Sequence, residues 1–256
     1  MKVAIVGTSN IGALKYAAPR IAQTFPDIEV TFFGLPGGKF DKTRVDGTIF
    51  GPDRSDLQLY RLSRRVNGAP QIDLAPFDHI LVIGDTFGLP ACLFTAIHYD
   101  IADWPARNGK PLMSEPAFLS AMDEAIALRT DHLRAQFGAL RLHAALAPYP
   151  TTGVVPEGPH HQQPYAAMAT HPDAARIEEM FHNRLRAALH ARDISFVPQP
   201  PETVAQPFLT KEPFGIGSQD FRTEGVVLND HRHMNADFGT SLFTAFAIAI
   251  GQAPQI

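Results

Sequence analysis

Residues 3–12 read Val-Ala-Ile-Val-Gly-Thr-Ser-Asn-Ile-Gly, and this opening segment indicates the class of fold. Four consecutive apolar residues that end at a glycine are typical of a buried strand. Over residues 11–25, apolar side chains recur at close to helical spacing, and Pro19 predicts a kink or a break in that helix. A strand, a short polar turn and a helix form the first unit of an α/β sheet.

Four further apolar runs repeat the strand pattern. They cover residues 28–33, 79–83, 140–147 and 194–197, and helical patterns cover residues 117–136, 172–191 and 235–250. Continuous apolar strands separated by helices predict a parallel sheet that is covered on both faces. We therefore expect an α/β fold, a three-layer α/β/α sandwich with a five-stranded, mostly parallel sheet, in one domain over residues 1–256.

A small accessory hairpin and two irregular stretches add to this pattern. Residues 48–50 and 57–62 predict a small accessory hairpin across the turn between them. Residues 151–170 and 199–225 are rich in Pro, Gly, His and Gln and show no clear period. Long irregular loops inside a compact domain are usually functional or disordered, so both loops are candidates for lids or binding loops.

Composition excludes several classes of protein. The chain has 256 residues, 45% apolar and 19% charged, which argues against a disordered chain, a collagen-like repeat and a coiled coil. A net charge of −4 does not favour nucleic acid as a partner. Cys92 is the only cysteine, so no disulfide forms within the chain, and we expect a buried thiol. The apolar runs are too short for a signal peptide or a membrane span, so we expect a soluble cytoplasmic protein with no membrane partner.

The turn after the first strand is the first candidate site. A dinucleotide fingerprint needs a glycine where Ser9 stands and an acid at the end of the second strand, and a phosphate-binding loop needs a lysine after Gly12. Ser9 can instead be a nucleophile on a sharp turn, where the start of the following helix favours negative charge. A fourth interpretation makes Ser9 only the cap of that helix.

The segment before the last helix is the second candidate site. Asp230 and His233 are three residues apart, a spacing that lets a carboxylate reach the imidazole and leaves the other ring nitrogen to act as a base. Two alternatives remain open. His231 and His233 are also a possible pair of metal ligands, and the segment is also compatible with a plain polar helix start that Asn235 caps.

Taken together, the Gly-Thr-Ser-Asn turn and the Asp-x-x-His segment resemble the SGNH (GDSL-like) hydrolase superfamily. The resemblance extends over the whole length, with the serine after the first of five strands and the histidine before the last helix. It implies a flavodoxin-like sheet and a Ser-His-Asp catalytic triad made of Ser9, His233 and Asp230.

The same resemblance implies an oxyanion hole. The family completes it with a backbone N–H of a glycine after the second strand, here Gly37 or Gly38, and with an asparagine after the third. This chain has Thr86 at the asparagine position, and Thr8 where the family usually has aspartate. A threonine hydroxyl can donate one hydrogen bond but has a shorter reach than an amide.

The expected function is therefore hydrolysis of an ester of a small polar molecule or a saccharide, without a metal or organic cofactor. An O-acyltransferase, a non-catalytic carbohydrate-binding or accessory protein on the same fold, and a nucleotide-binding oxidoreductase are the alternatives. The oligomeric state does not follow from the sequence. The remaining histidines are expected on the surface at His160 and His161, and packed or half-exposed at four other positions: His79, His98, His132 and His143.

Overall fold

The computed structural model describes residues 1–105, 108–155, 158–160, 162–218 and 231–255. Its centre is a five-stranded parallel sheet with the spatial order β10-β9-β6-β1-β2. The sheet strands are β1 (Lys2–Gly7), β2 (Glu29–Gly34), β6 (His79–Asp85), β9 (Leu142–Leu146) and β10 (Ile194–Val197). The predicted α/β sheet is thus confirmed.

Seven α-helices lie within the described residues. They are α1 (Ile11–Thr24), α2 (Leu57–Asn67), α3 (Leu89–His98), α4 (Glu115–Phe137), α5 (Gln163–Met168), α6 (Ala174–His190) and α7 (Ala236–Ala249). Short strands form three accessory ribbons: β3 (Thr43–Asp46), β4 (Ile49–Pro52) and β5 (Ile72–Asp73); β7 (Asp100–Ile101) and β8 (Leu112–Met113); β11 (Val204–Gln206) and β12 (Leu209–Thr210).

Alternate residues of the central strand β1 face two separate apolar cores. Val3 and Ile5 pack with residues of α1 and α7 on one face of the sheet. Ala4 and Val6 pack with residues of α2, α3, α4 and α6 on the other face. Because successive side chains of a strand point to opposite faces, this division confirms the three-layer arrangement.

Helices α1 and α7 cross at very close range. A Cβ atom at Gly239 would lie 2.1 Å from the carbonyl oxygen of Ala13, so only glycine allows this approach. Arg20 of α1 also pairs with Asp237 in the first turn of α7. The contact places the N-termini of the two helices side by side, together with the segments that precede them.

The expected accessory hairpin between residues 48–50 and 57–62 is wrong. The second segment lies in helix α2, where the Asp56 side chain accepts a hydrogen bond from the Leu59 N–H at 3.0 Å. Leu57 is 60% exposed while Leu59 is buried, so the apolar alternation does not mark a sheet face. Strand β4 pairs instead with β3 and β5, in antiparallel register.

Two other elements differ from expectation. Pro19 lies inside the continuous helix α1, so the predicted break is wrong, and the predicted kink stays a prediction. Helix α3, which the sequence analysis did not predict, follows β6 and begins with Leu89-Pro90, which suits a first helical turn because proline lacks the N–H that would be unpaired there.

The two irregular segments carry short regular elements. Helix α5 lies in residues 151–170, the β11–β12 ribbon lies in residues 199–225, and residues 219–225 are outside the described part of the chain. No helix of the described residues is long and apolar enough to cross a membrane.

Candidate active site

The candidate site lies at the carboxyl edge of the sheet, between β1 and β6. The chain leaves β1 to form β2 on one side and later returns to form β6 on the other, so the strand order reverses at this point. In open α/β sheets, ligands bind outside the strand ends at such a reversal. Ser9 follows β1 and Thr86 follows β6, so both candidate residues flank the reversal.

A close contact between two turns fixes the position of Ser9. Gly84 has φ of +106°, and a Cβ atom there would lie 2.0 Å from Thr8 Oγ1. Thr8 Oγ1 accepts a hydrogen bond from Asn10 Nδ2 at 3.1 Å. The N-cap residue of α1 is Asn10 and not Ser9. The interpretation of Ser9 as a mere helix cap is therefore wrong.

Ser9 and His233 meet although 224 residues separate them. His233 Nε2 lies 2.8 Å from Ser9 Oγ, which is a hydrogen-bond distance. Ser9 precedes α1 by two residues and His233 precedes α7 by three, so the α1–α7 crossing brings the two segments together. The structure thus brings together two of the three residues that the sequence analysis assigned to a triad.

The segment around His233 is held by hydrogen bonds to other loops. Thr151 Oγ1 lies 2.7 Å from His231 Nδ1, and the Thr151 N–H donates to the His231 carbonyl at 3.0 Å. The Asn235 N–H donates to the Phe214 carbonyl at 2.7 Å. Asn235 also caps α7, since its side chain accepts from the N–H groups of the next turn. Thr151 and Phe214 are positioning contacts that the sequence analysis missed.

The third predicted triad residue, Asp230, lies outside the described residues. The alternative metal site finds no support in the part of the chain that the structure describes, where no group of three His, Cys, Asp or Glu side chains is placed to hold an ion. His231 instead uses Nδ1 in its contact with Thr151.

Three backbone N–H groups, on the Ser9 turn and on the loop at Gly37, are candidates for binding an oxyanion. Within the described ranges, the N–H groups of Ser9, Gly37 and Gly38 have no hydrogen-bond acceptor, whereas the Lys39 N–H donates to the Pro36 carbonyl at 3.0 Å. Gly37 begins a short 3₁₀ helix, Gly37–Lys42, and lines the cavity beside Ser9. Gly37 and Gly38 are exposed and Ser9 is half-buried, so these N–H groups are open to solvent or to a ligand.

Thr86 also borders this cavity, on a turn shaped by its neighbour Asp85. The Asp85 carboxylate accepts a hydrogen bond from the Phe87 N–H at 2.7 Å, and Phe87 has φ of +49°. No partner of the Thr86 hydroxyl is found among the residues described here. The predicted oxyanion residues Gly37 and Thr86 therefore line one cavity together with Ser9.

The cavity has a volume of about 140 Å³ and a mixed lining. Its polar side chains are those of Thr8, Ser9, Asn10, Thr86, Gln162, Tyr165 and Arg232, and its apolar walls are Pro90, Ala147, Pro148 and Pro150. Burial raises the pKa of Tyr165 well above its ordinary value, so its phenol remains neutral. Gln162 and Tyr165 belong to the irregular loop at residues 151–170.

Cys92 and the other predicted histidines lie elsewhere. Cys92 is buried and burial raises its pKa to about 12, which leaves it a protonated thiol. His143 is buried beside His79, with 3.1 Å between the nearest ring nitrogens. His98 and His160 are exposed and His132 is half-buried, whereas His161 lies outside the described residues.

Comparison with known proteins finds similarity in structure only. No family model and no curated protein matches the sequence. A GDSL-like lipase from Bacteroides thetaiotaomicron VPI-5482 is 12% identical, with 98% of this chain and 87% of that chain covered and a TM-score of 0.38. An extracellular lipase from Streptomyces rimosus is 11% identical, with 97% and 99% covered and a TM-score of 0.40.

A third solved structure is a carbohydrate esterase family 2 enzyme with a carbohydrate binding domain, from Corynascus thermopiles (Myceliophthora fergusii). It is 13% identical, with 98% of this chain and 66% of that chain covered and a TM-score of 0.36. Each of the three matches extends over nearly the whole of this chain.

Proposed function

We propose that this protein is a serine-dependent ester hydrolase in which Ser9 is the nucleophile and His233 the general base. The observation that carries the proposal is the 2.8 Å contact between His233 Nε2 and Ser9 Oγ at the carboxyl edge of the sheet. A hydroxyl becomes a competent nucleophile at neutral pH when an adjacent imidazole can take its proton.

The first half of the reaction forms an acyl-enzyme. Ser9 Oγ attacks the ester carbonyl carbon while its proton passes to His233 Nε2, and the carbonyl oxygen becomes an oxyanion. The C–O bond to the alcohol then breaks, and the alcohol oxygen takes the proton from His233. In the second half, water gives a proton to His233 and attacks the acyl carbon, and Ser9 recovers its proton as the acid leaves.

The oxyanion is stabilised by the open backbone donors. The N–H of Ser9 and that of Gly37 or Gly38 supply two hydrogen bonds, and the Thr86 hydroxyl supplies a third. The start of α1, which follows Ser9, adds the positive end of its helix dipole. One donor of this kind is worth on the order of 3 kcal/mol in a transition state.

Asp230 completes the proposed triad on the evidence of the sequence alone. A carboxylate three residues before His233 would accept a hydrogen bond from the second ring nitrogen, which fixes the tautomer with a free lone pair on Nε2 and stabilises the imidazolium. The proposed chemistry uses no metal or organic cofactor.

The substrate we propose is an acyl ester of a small polar molecule or a saccharide. Polar side chains of the cavity, among them Asn10 and Gln162, can hydrogen-bond hydroxyl groups, and the proline walls suit a short apolar acyl group. A non-catalytic binding protein would not require the Ser9–His233 contact. A dinucleotide enzyme would need a glycine in place of Ser9.

The test is turnover of p-nitrophenyl acetate, whose good leaving group makes a small demand on the site. The wild-type protein should release p-nitrophenol, Ser9→Ala should lower kcat by about a thousandfold or more, and Ser120→Ala, an exposed serine of α4, should leave the rate unchanged. The rate should fall in acid, because a protonated imidazole cannot accept the Ser9 proton. Full turnover by Ser9→Ala would overturn the proposal.

A further inference from the structure

Helix α4 holds the loop that carries Gly37 and Gly38. Gln136 Nε2 donates to the Phe40 carbonyl at 2.8 Å and to Thr43 Oγ1 at 2.9 Å. Two turns earlier on the same helix face, Arg129 Nη2 donates to Asp41 Oδ1 at 3.1 Å. Both hydrogen-bonded contacts attach α4 to the 3₁₀ helix whose first residue is Gly37.

The same arginine also holds the turn that carries Thr86. Arg129 Nη2 donates to Asp85 Oδ2 at 2.6 Å, and Arg129 Nε lies 3.1 Å and 3.2 Å from the two Asp85 oxygens. Asp85 in turn accepts from the Phe87 N–H at 2.7 Å, so its carboxylate shapes the backbone on both sides of Thr86. One guanidinium therefore contacts both loops that contribute proposed oxyanion donors.

A cavity separates the two loops that Arg129 contacts. Thr8, Gly37, Asp41, Thr86 and Arg129 all border a second cavity of about 430 Å³, which adjoins the cavity at Ser9. The loops are therefore separated there by open space. Asp85 is the last residue of β6, whereas Asp41 lies in the 3₁₀ helix beyond the end of β2. Strand register therefore fixes the position of the first residue only, and Arg129 connects the two across that space.

We propose that Arg129 is a positioning residue that sets the distance between the Gly37 donor and the Thr86 donor. The inference rests on the proposed function, since the two donors matter only if an oxyanion forms. Arg129 touches no reacting atom. It acts through Asp41 on one loop and through Asp85 on the other.

The ion pair between Arg129 and Asp85 is stronger than the ion pair between Arg129 and Asp41. The Asp85 side chain is 13% exposed and meets two nitrogens of the guanidinium, a geometry that gives strong charge-assisted hydrogen bonds. The Asp41 side chain is 42% exposed and meets one nitrogen, and exposed ion pairs of this kind contribute little. Loss of Arg129 should therefore displace the Thr86 turn more than the Gly37 loop.

The test compares kcat, KM and the pH profile of p-nitrophenyl acetate hydrolysis in wild type, Arg129→Gln and Arg129→Lys. Arg129→Gln should lower kcat about tenfold, with KM and the pH of half-maximal rate unchanged, because a displaced donor weakens binding of the oxyanion alone. Arg129→Lys keeps the charge but lacks the planar fork, so it should recover only part of the loss. Asp41→Asn, which removes the weaker ion pair, should cost about twofold.

The matched control is Arg184→Gln. Arg184 pairs with Asp123 of α4 and is 31% exposed, close to the 30% of Arg129, but it is outside both cavities. Its kcat should equal that of wild type. The inference is overturned if Arg129→Gln keeps the control's kcat, or if its only defect is a lower melting temperature. A wild-type protein that does not turn over would overturn the proposed function first, a result distinct from normal kcat in Arg129→Gln.

Discussion

Ser9 and His233 meet at one point, but different kinds of structure hold them there. Ser9 follows the central strand β1, which has hydrogen-bonded neighbours on both sides, and its turn is packed against the end of β6. His233 lies in the short segment that precedes α7, and its neighbours His231 and Asn235 are held by hydrogen bonds to Thr151 and Phe214. The sheet therefore positions the proposed nucleophile, and contacts between loops position the proposed base.

This difference predicts how strongly substitutions near Ser9 and substitutions near His233 lower activity. Sheet geometry leaves little room for adjustment, because the interior is close-packed and each strand is fixed by its register. Contacts between loops are individually weak, since one hydrogen bond contributes about 1 kcal/mol. Substitutions that displace the Ser9 turn should therefore lower kcat strongly. Substitutions that remove one contact of the His233 segment should lower kcat only moderately.

Among substitutions that keep both Ser9 and His233, the largest effect is expected for Gly84→Ala. The new Cβ would overlap Thr8 Oγ1 and would require a strained positive φ, so the turn that carries Ser9 must move. We expect kcat for p-nitrophenyl acetate to fall by more than about a hundredfold. Gly47→Ala is the matched control, because Gly47 also has positive φ but nothing lies within 4 Å of its added Cβ. Equal rates for the two variants would contradict a sheet-fixed nucleophile.

A smaller effect is expected for Thr151→Val. The substitution keeps the side-chain shape and removes the hydroxyl that contacts His231 Nδ1 at 2.7 Å, while the backbone bond between the two residues remains. We expect kcat to fall about tenfold, from looser placement of His233. Thr130→Val, at a buried threonine that bonds only carbonyls of its own helix, should not change kcat. A loss as large as that of Gly84→Ala would show that the His233 segment is equally rigid.

The smallest effect on catalysis is expected at the amino end of the sheet. Burial, with help from His79 and Arg141, lowers the pKa of His143 to about 4. Between about pH 6.5 and 4, His143 is therefore protonated in the unfolded chain but not in the folded chain. The free energy of unfolding falls as the pH falls through this range. The loss is on the order of 2 kcal/mol after allowance for screening.

Urea unfolding at pH 7 and pH 4.5 measures this loss. His143→Phe should flatten the dependence on pH and leave kcat at neutral pH unchanged, since the residue is near the opposite end of the sheet from Ser9. His190→Gln, at an exposed histidine, should keep the wild-type dependence. An unchanged slope in His143→Phe would assign the acid sensitivity to another group. The first candidate is half-buried His182, because desolvation lowers its pKa to about 4.

The same contrast explains what the sequence could predict. The runs that became β1, β2, β6, β9 and β10 were predictable because continuous apolar strands leave a strong signal, and the serine after the first of them inherits its position from the sheet. The apolar pattern of residues 57–62 is compatible with a strand or with a helix. Asp56 caps the N-terminus of this segment, which forms a helix.

The positioning residues were not predictable, because they act across large separations in sequence. Thr151 lies 80 residues before His231, and Arg129 lies 44 residues after Asp85. The amino-acid sequence around Thr151 or Arg129 does not indicate which residues they contact. Only the folded arrangement of α4 beside two loops shows that one guanidinium reaches both.

The most direct test of the central claim is covalent labelling with a fluorophosphonate. An activated Ser9 should displace fluoride and carry one phosphonyl group, which peptide mass spectrometry would locate on that residue. Ser9→Ala should not be labelled, His233→Ala should be labelled far more slowly, and Ser120→Ala should match wild type. No adduct on the wild-type protein, or an adduct on a residue other than Ser9, would contradict the account.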